Sequence, residues 1–324
     1  MNAKEQSKTY RILKIYEKLS AGDGIVRKEM ADYFDVSKKT IKRDIKAINT
    51  YFQDINNDFQ NEYIKYNYQR SAYFLNDKKI KLSQKEILAV VKVLLESRAF
   101  CREESENIIN KLIKRVPLNL QTDIKDLIAN ELYHYSELEH KTKLLDLIWD
   151  LSLAIKEKRV LEIKYCPLNK ENYVERKIEP LGLMFSEYYF YLIAHHYRQQ
   201  DDFKIVYRLD RLKEINMSSD HFTHCYTDRF QEGEFRKRIQ FMYPGKLIKI
   251  KFKFWGASIE AVLDRLPTAE IIEIKNDEYI VEAEVFGTGI KMWLLSQGAK
   301  LEVLEPKELR EELKNTISMM MVNY

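Results

Sequence analysis

At 324 residues, with 45% hydrophobic and 32% charged side chains, the chain is long enough for two or three domains and too apolar for disorder. No run is long and apolar enough to suggest a membrane span, and the opening MNAKEQSKTYR lacks a signal-peptide core. Cys101, Cys166 and Cys225 are odd in number and far apart, which argues against a disulfide framework and for a reducing cytoplasm. Residues 1–80 hold 16 Lys/Arg against 11 Asp/Glu, a net +5, so the other 244 carry −1 of the overall +4.

In chain order, residues 7–20 (SKTYRILKIYEKLS) place Tyr10, Leu13, Ile15, Tyr16 and Leu19 at mostly helical spacing, and Gly22-Asp23-Gly24 ends the segment. A second helix is predicted over about Arg27–Phe34, with Ala31 where two crossing helices need a small side chain. Asp35 stands in the turn, where a left-handed backbone is required and Asp tolerates it. Ser37 is the expected N-cap of a third helix, and Val36 with Ile41 forms a hydrophobic staple. On that helix Ile41, Ile45 and Ile48 form one stripe, spaced i, i+4, i+7. Lys39, Arg43 and Lys46 fall near the opposite side, with Thr40 and Lys42 on the shoulders and Lys38 at the start. A helix apolar on one side and cationic on the other fits a DNA major groove; the plainer reading is a solvated surface helix. Cap, staple, small residue and cations agree in register, which favours the first. The stretch 62–76 (EYIKYNYQRSAYFLN) reads as a hairpin around Gln69-Arg70-Ser71, a wing that would carry Arg70 to the DNA.

Residues 81–158 read as helical. Ser83 and Glu86 make a capping box, Cys101–Arg115 is amphipathic and stops at Pro117, and 141–158 aligns Leu144, Leu145, Ile148, Leu151 and Ile155. This region would connect domains and contribute a dimer contact. From Val160 the period becomes strand-like. VLEIKYC, YVERKIEP, LGLMF, YYFYLIAHH and KIVYRLD are separated by breaks at Pro167–Asn169, Pro180, Ser186-Glu187 and Gln199–Asp202. Five short strands argue for a small barrel or sandwich. Beyond a linker, a strand (246–255), a helix (258–266), two strands meeting at Asn276-Asp277, a helix (290–296), a strand (300–306) and a closing helix predict an α/β sandwich.

The run EPLGLMFSEYYFYLIAHH followed by KIVYRLDRLKEI resembles the WYL domain of bacterial transcriptional regulators. Phe190-Tyr191-Leu192 stands where the family has Trp-Tyr-Leu, between Pro180-Leu181-Gly182-Leu183 and Arg208-Leu209-Asp210-Arg211-Leu212. VSKKTIKRDI (36–45) is similar to a DeoR-like helix-turn-helix, and 246–324 to the extension (WCX) that often follows a WYL domain. The resemblance implies a multidomain α+β chain. Its expected parts are a winged helix-turn-helix (1–78), a helical linker and dimerisation region (79–158), a small Sm-like or SH3-like barrel (159–220), a linker (221–245) and an α/β sandwich (246–324).

It further implies an effector site drawn from Tyr165, Arg176, Tyr191, His195, Arg208 and Arg211. Nucleic acid or a nucleotide is the favoured ligand class, since guanidinium forks suit phosphate and tyrosine rings suit bases. Arg208 and Arg211 are an odd number apart and would point to opposite faces of a regular strand, and Asp210 can pair with an arginine structurally. His221, His224 and Cys225 lack a fourth ligand at metal-site spacing. No acidic pair or phosphate loop suggests catalysis. The expected protein is therefore a non-enzymatic, cofactor-free homodimeric regulator that binds duplex operator DNA (through Ser37, Lys38, Lys39, Thr40, Lys42, Arg43, Lys46 and Arg70), without a membrane partner. The alternatives are a nucleic-acid-binding scaffold and a helix-turn-helix-fused ligase-type enzyme.

Overall fold

A computed structural model describes residues 7–20, 22–56, 62–75, 82–116, 118–168, 172–198, 204–223 and 230–324. The expected boundary near 78, the breaks at Asn169 and 199–202, and His224 and Cys225 lie outside the described residues. The chain forms two compact units, Met1–Glu96 with Ser105–Tyr135 and Ser97–Glu104 with Ser136–Tyr324.

The first unit opens with α1 (Lys8–Ser20), α2 (Arg27–Tyr33) and α3 (Lys38–Asn56), then a hairpin of β1 (Ile64–Asn67) and β2 (Ala72–Leu75). Their core is Ile15, Leu19, Met30, Ala31, Ile41, Ile45, Ile48 and Ile64, so the isoleucine stripe of α3 is its buried side. Asp35 takes the left-handed backbone that the tight turn requires (φ 50°). Arg11 and Asp44 are both buried here and pair at 2.5 Å. The Asn49 side chain accepts from the Ile64 amide (2.9 Å), fastening the hairpin to α3. Next come α4 (Gln84–Ser97), α5 (Arg102–Ile113) and α6 (Leu118–Tyr133), packed through Ile87, Val91, Ile109, Ile113, Ile124 and Ile128. The capping box forms: the Ser83 amide donates to Glu86 (2.7 Å) and the Glu86 amide to Ser83 Oγ (3.3 Å).

The second unit holds α7 (Leu145–Glu157) and a five-stranded antiparallel sheet. Its strands are β3 (Arg159–Tyr165), β4 (Val174–Ser186), β5 (Tyr189–His196), β6 (Ile205–Arg208) and β7 (Leu212–His221), in the order β6-β5-β4-β3-β7. The 3-10 turn Leu209–Arg211 carries the chain from one edge strand to the other. Three expectations change here. Pro180 does not end a strand: YVERKIEP and LGLMF fuse into β4, because the missing proline N–H is absorbed at a bulge between Pro180 and Gly182. The fifth strand is instead the polar 212–221 stretch, paired with β3. The helix expected over 141–158 begins only at Leu145. Its first amides are met from another helix, buried Glu104 of α5 accepting from Leu144 and Leu145 N at 3.0 Å each. With Leu144 just before it, α7 packs on the sheet through Leu151 and Ala154 against Leu161, Ile163, Ile178, Leu192 and Ala194.

The other sheet face is covered by a segment expected to be linker. Within it α8 (Glu232–Arg238) and the residues after it bring Phe235, Ile239 and Met242 onto Met184 and Ile193. The strap also lies hard against the last domain: a Cβ at Gly289 would sit 1.9 Å from the Gln240 carbonyl oxygen, so only glycine fits. That domain runs β8 (Leu247–Phe254), α9 (Ile259–Arg265), β9 (Glu270–Lys275), β10 (Glu278–Phe286), α10 (Gly287–Ser296), β11 (Leu301–Glu305) and α11 (Lys307–Val322). Its antiparallel sheet has the order β11-β8-β10-β9, with the core between sheet and helices at Ile250, Phe252, Val281, Val285, Ile290 and Trp293.

Candidate functional site

The DNA-facing candidates sit on one surface of α3. Ser37 caps the helix, its Oγ accepting from the Thr40 amide at 3.2 Å. Ser37, Lys38, Lys39, Lys42, Arg43 and Lys46 are exposed and Thr40 is half-buried. Among the described residues no carboxylate pairs with any of these cations. The buried charged pair in this domain, Arg11–Asp44, uses the opposite side of the helix. Arg70 is exposed in the turn between β1 and β2, its amide held by Asn67 Oδ1 (3.0 Å) and its guanidinium 5.6 Å from the Phe74 ring centre. Tyr68 near it is 86% exposed, a flat side chain close to the hairpin turn that sequence reasoning did not single out.

The six effector candidates do not converge on one spot. Strand alternation and packing place Tyr165 and Arg176 on the α7 face of the sheet, and Tyr191, His195 and Arg208 on the strap face. Arg211 belongs to neither strand, since it closes the 3-10 turn; the expectation that it shares a strand with Arg208 fails for that reason. On the α7 face, Tyr165 and Tyr207 meet edge to face at 5.0 Å. Burial raises both phenols, that of Tyr207 to about 12, with Arg211 lowering Tyr165 and Arg176 lowering Tyr207 in part compensation.

On the strap face Arg208 is held by a carboxylate and a ring. Its Nε and Nη2 donate to Asp210 at 3.0 and 2.8 Å, and its guanidinium lies 3.5 Å from the Tyr189 ring centre. Burial works to lower the guanidinium pKa, but the hydrogen bonds and charge of Asp210 outweigh it and the net direction is up. Burial likewise pushes Tyr191 up to about 12, Arg208 opposing. His140, from the loop before α7, reaches the same cluster 6.2 Å from the Tyr189 ring. Burial depresses its imidazole below the usual range, and Asp210 only partly offsets this. Tyr189 and His140 were not among the sequence candidates. Tyr189 was legible by its spacing of two from Tyr191; His140 had no local signal. This face therefore offers phenol and imidazole edges around an arginine already held by a carboxylate.

Sequence comparison identifies an HTH domain over residues 11–57, a WYL domain over 146–217 and a WCX domain over 246–321. This succession is the architecture typical of WYL transcriptional regulators. No curated protein matches the chain. Among solved structures, proteasome accessory factor B/C (PafBC) of Arthrobacter aurescens is 17% identical, with a TM-score of 0.32 over 98% of this chain and 48% of its own. The chain thus spans about half the length of that relative. A CRISPR Cas-related protein is 11% identical, with a TM-score of 0.35 over 99% of this chain and 92% of its own. Both are loose likenesses. No helix among the described residues is long and apolar enough to cross a membrane.

Proposed function

We propose that the chain is a ligand-responsive transcription factor: a homodimer whose winged helix-turn-helix binds operator DNA and whose WYL domain senses an effector, a nucleic acid or nucleotide by preference. The observation carrying the DNA-binding part is the exposed cation row on α3, which no carboxylate among the described residues pairs, in a domain whose hairpin turn exposes Arg70 and Tyr68. A polyanion is bound by replacing its counterions, which requires cations not already neutralised by the protein. We read the five-stranded sheet as a small Sm-like or SH3-like barrel, because a single 3-10 turn joins its two edge strands. In this reading Arg208, Tyr191 and His195 on one face and Tyr165, Arg176 and Arg211 around the other are candidate effector contacts. Any regulation must come from unequal ligand affinity for two arrangements of the DNA-binding units.

Footprinting on genomic fragments tests the reading. A protected, two-fold related duplex site that an added effector weakens or strengthens supports it. Single-strand binding with no protected duplex would instead favour a scaffold role.

A further inference from the structure

We propose that Arg27, the first residue of α2, is a positioning residue for DNA contact. Its guanidinium fixes the β1–β2 hairpin relative to α3 and so sets where Tyr68 and Arg70 meet the duplex. The proposal rests on the DNA-binding reading above and adds to it a residue outside both α3 and the hairpin turn.

A two-stranded hairpin is marginal by itself and keeps a direction only where other groups grip it. At the open end of this one, Asn49 of α3 holds the Ile64 amide at 2.9 Å. Along β2, Ile25 and Tyr73 exchange both backbone bonds, at 2.8 and 2.9 Å, so the chain just before α2 runs beside the hairpin. The residues on either side of Ile25 then meet different parts of it. Gly24 lies against Phe74, where a Cβ would come within 2.5 Å of the ring, and the Arg70 guanidinium stands 5.6 Å from the same ring's centre. Arg27 lies over the cross-strand pair Tyr66 and Tyr73, 5.8 and 5.6 Å from their ring centres.

That pair is one step from the last of the ladder, Asn67 with Ala72. Tyr66 also meets Tyr68 edge to face at 5.1 Å, so a run of rings leads from Arg27 out to the exposed turn. Behind Arg27, Met30 and Ala31 of α2 share a core with Ile41, Ile45 and Ile48 of α3. The turn is thereby held at a set place relative to the helix that carries the cations. An arginine suits this task because its planar, permanently charged head stacks on aromatic faces while half-buried. Among the described residues no carboxylate pairs with it. A cation at a helix N-terminus is unfavourable for the helix itself, so the rings explain Arg27 better than α2 does.

The test compares the full chain with Arg27→Ala, with Tyr66→Leu (which keeps the Arg27 charge and removes one ring), and with the double variant Tyr68→Ala/Arg70→Ala. A fourth variant adds Arg27→Ala to the double. Amide exchange is read on the free chain, and affinity on a mixed-sequence duplex of about 30 base pairs at low salt, where cations alone suffice for binding. Arg27→Ala and Tyr66→Leu should each speed exchange at the Arg70 amide and along the hairpin at least about fivefold, leaving α1–α3 unchanged. Each should also weaken duplex binding about threefold or more, and Arg27→Ala should add no loss once Tyr68 and Arg70 are gone. Hairpin exchange as in the wild type overturns the proposal, as does undiminished affinity in Tyr66→Leu. So does a full Arg27→Ala loss that persists without Tyr68 and Arg70, which would make Arg27 a phosphate contact of its own. A wild-type chain that binds no duplex ends the DNA-binding reading and this proposal together; wild-type binding with any of those three results ends this proposal alone.

Discussion

The chain uses its cations in two contrasting ways. On α3 the lysines and Arg43 stand in solvent without carboxylate partners among the described residues, while on the WYL sheet Arg208 is gripped by Asp210 and stacked on Tyr189. The first arrangement is poor at discriminating among small anions but well suited to a phosphate lattice, where each contact releases counterions. The second holds a charge at fixed position and orientation at the cost of neutralising it, so an incoming anion must compete with Asp210. On the proposed reading, a surface for a long polyanion and a surface for a single ligand thus call for opposite treatments of the same residue type.

The contrast can be broken at four points. The largest effect is expected where a cation of the DNA-binding domain is buried. Asp44→Ala strands Arg11 and should cost about 3–5 kcal/mol in urea unfolding. A loss under about 1 kcal/mol would mean that Arg11 finds water. Next, Asp210→Ala removes two charge-assisted bonds from Arg208 and should cost about 1.5–3 kcal/mol. It should also strengthen the response to a phosphate-bearing effector, measured by operator release; a weaker response would make Asp210 a ligand contact rather than a competitor.

Third, the double variant Lys39→Ala/Arg43→Ala should weaken duplex binding about tenfold or more, each lost phosphate contact reducing the salt slope by roughly 0.9. Its unfolding midpoint should not move, since both side chains are exposed. Unchanged affinity would take this helix out of the groove.

The smallest effect concerns His140. Its folded pKa is lowered by burial, so below the ordinary imidazole value near 6.5 the unfolded chain binds more protons than the folded one. The stability is fully present above that pH and declines as pH falls through and below it. His140→Gln should flatten the acid side of the stability profile; an identical profile would place the imidazole in solvent.

The DNA-binding domain was legible because its signals are local. A cap, a staple and an isoleucine stripe all lie within thirteen residues of Val36; the cap formed, the stripe is buried, and Val36 packs against the same core. The sheet was harder to read for two physical reasons. The bulge at Pro180–Gly182 and the 3-10 turn at 209–211 each interrupt strand alternation, so parity counted along the sequence could not say which candidates share a face. The fifth strand, LKEINMSSDH, buries only its first residue, Leu212, and so lacks an apolar pattern. The strap at 230–242 was missed because its few apolar residues are scattered among charges. Asp210 as a partner for an arginine was readable, since the two stand two residues apart.

The carboxylate of Glu104 has a consequence in time as well as in space. It supplies the opening hydrogen bonds of α7 from some forty residues upstream. Helix initiation is the unfavourable step of helix formation, and here the group that eases it arrives only after a long loop has closed. α7 is therefore expected to consolidate late in refolding. Substitutions at Glu104 should then accelerate unfolding more than they slow folding.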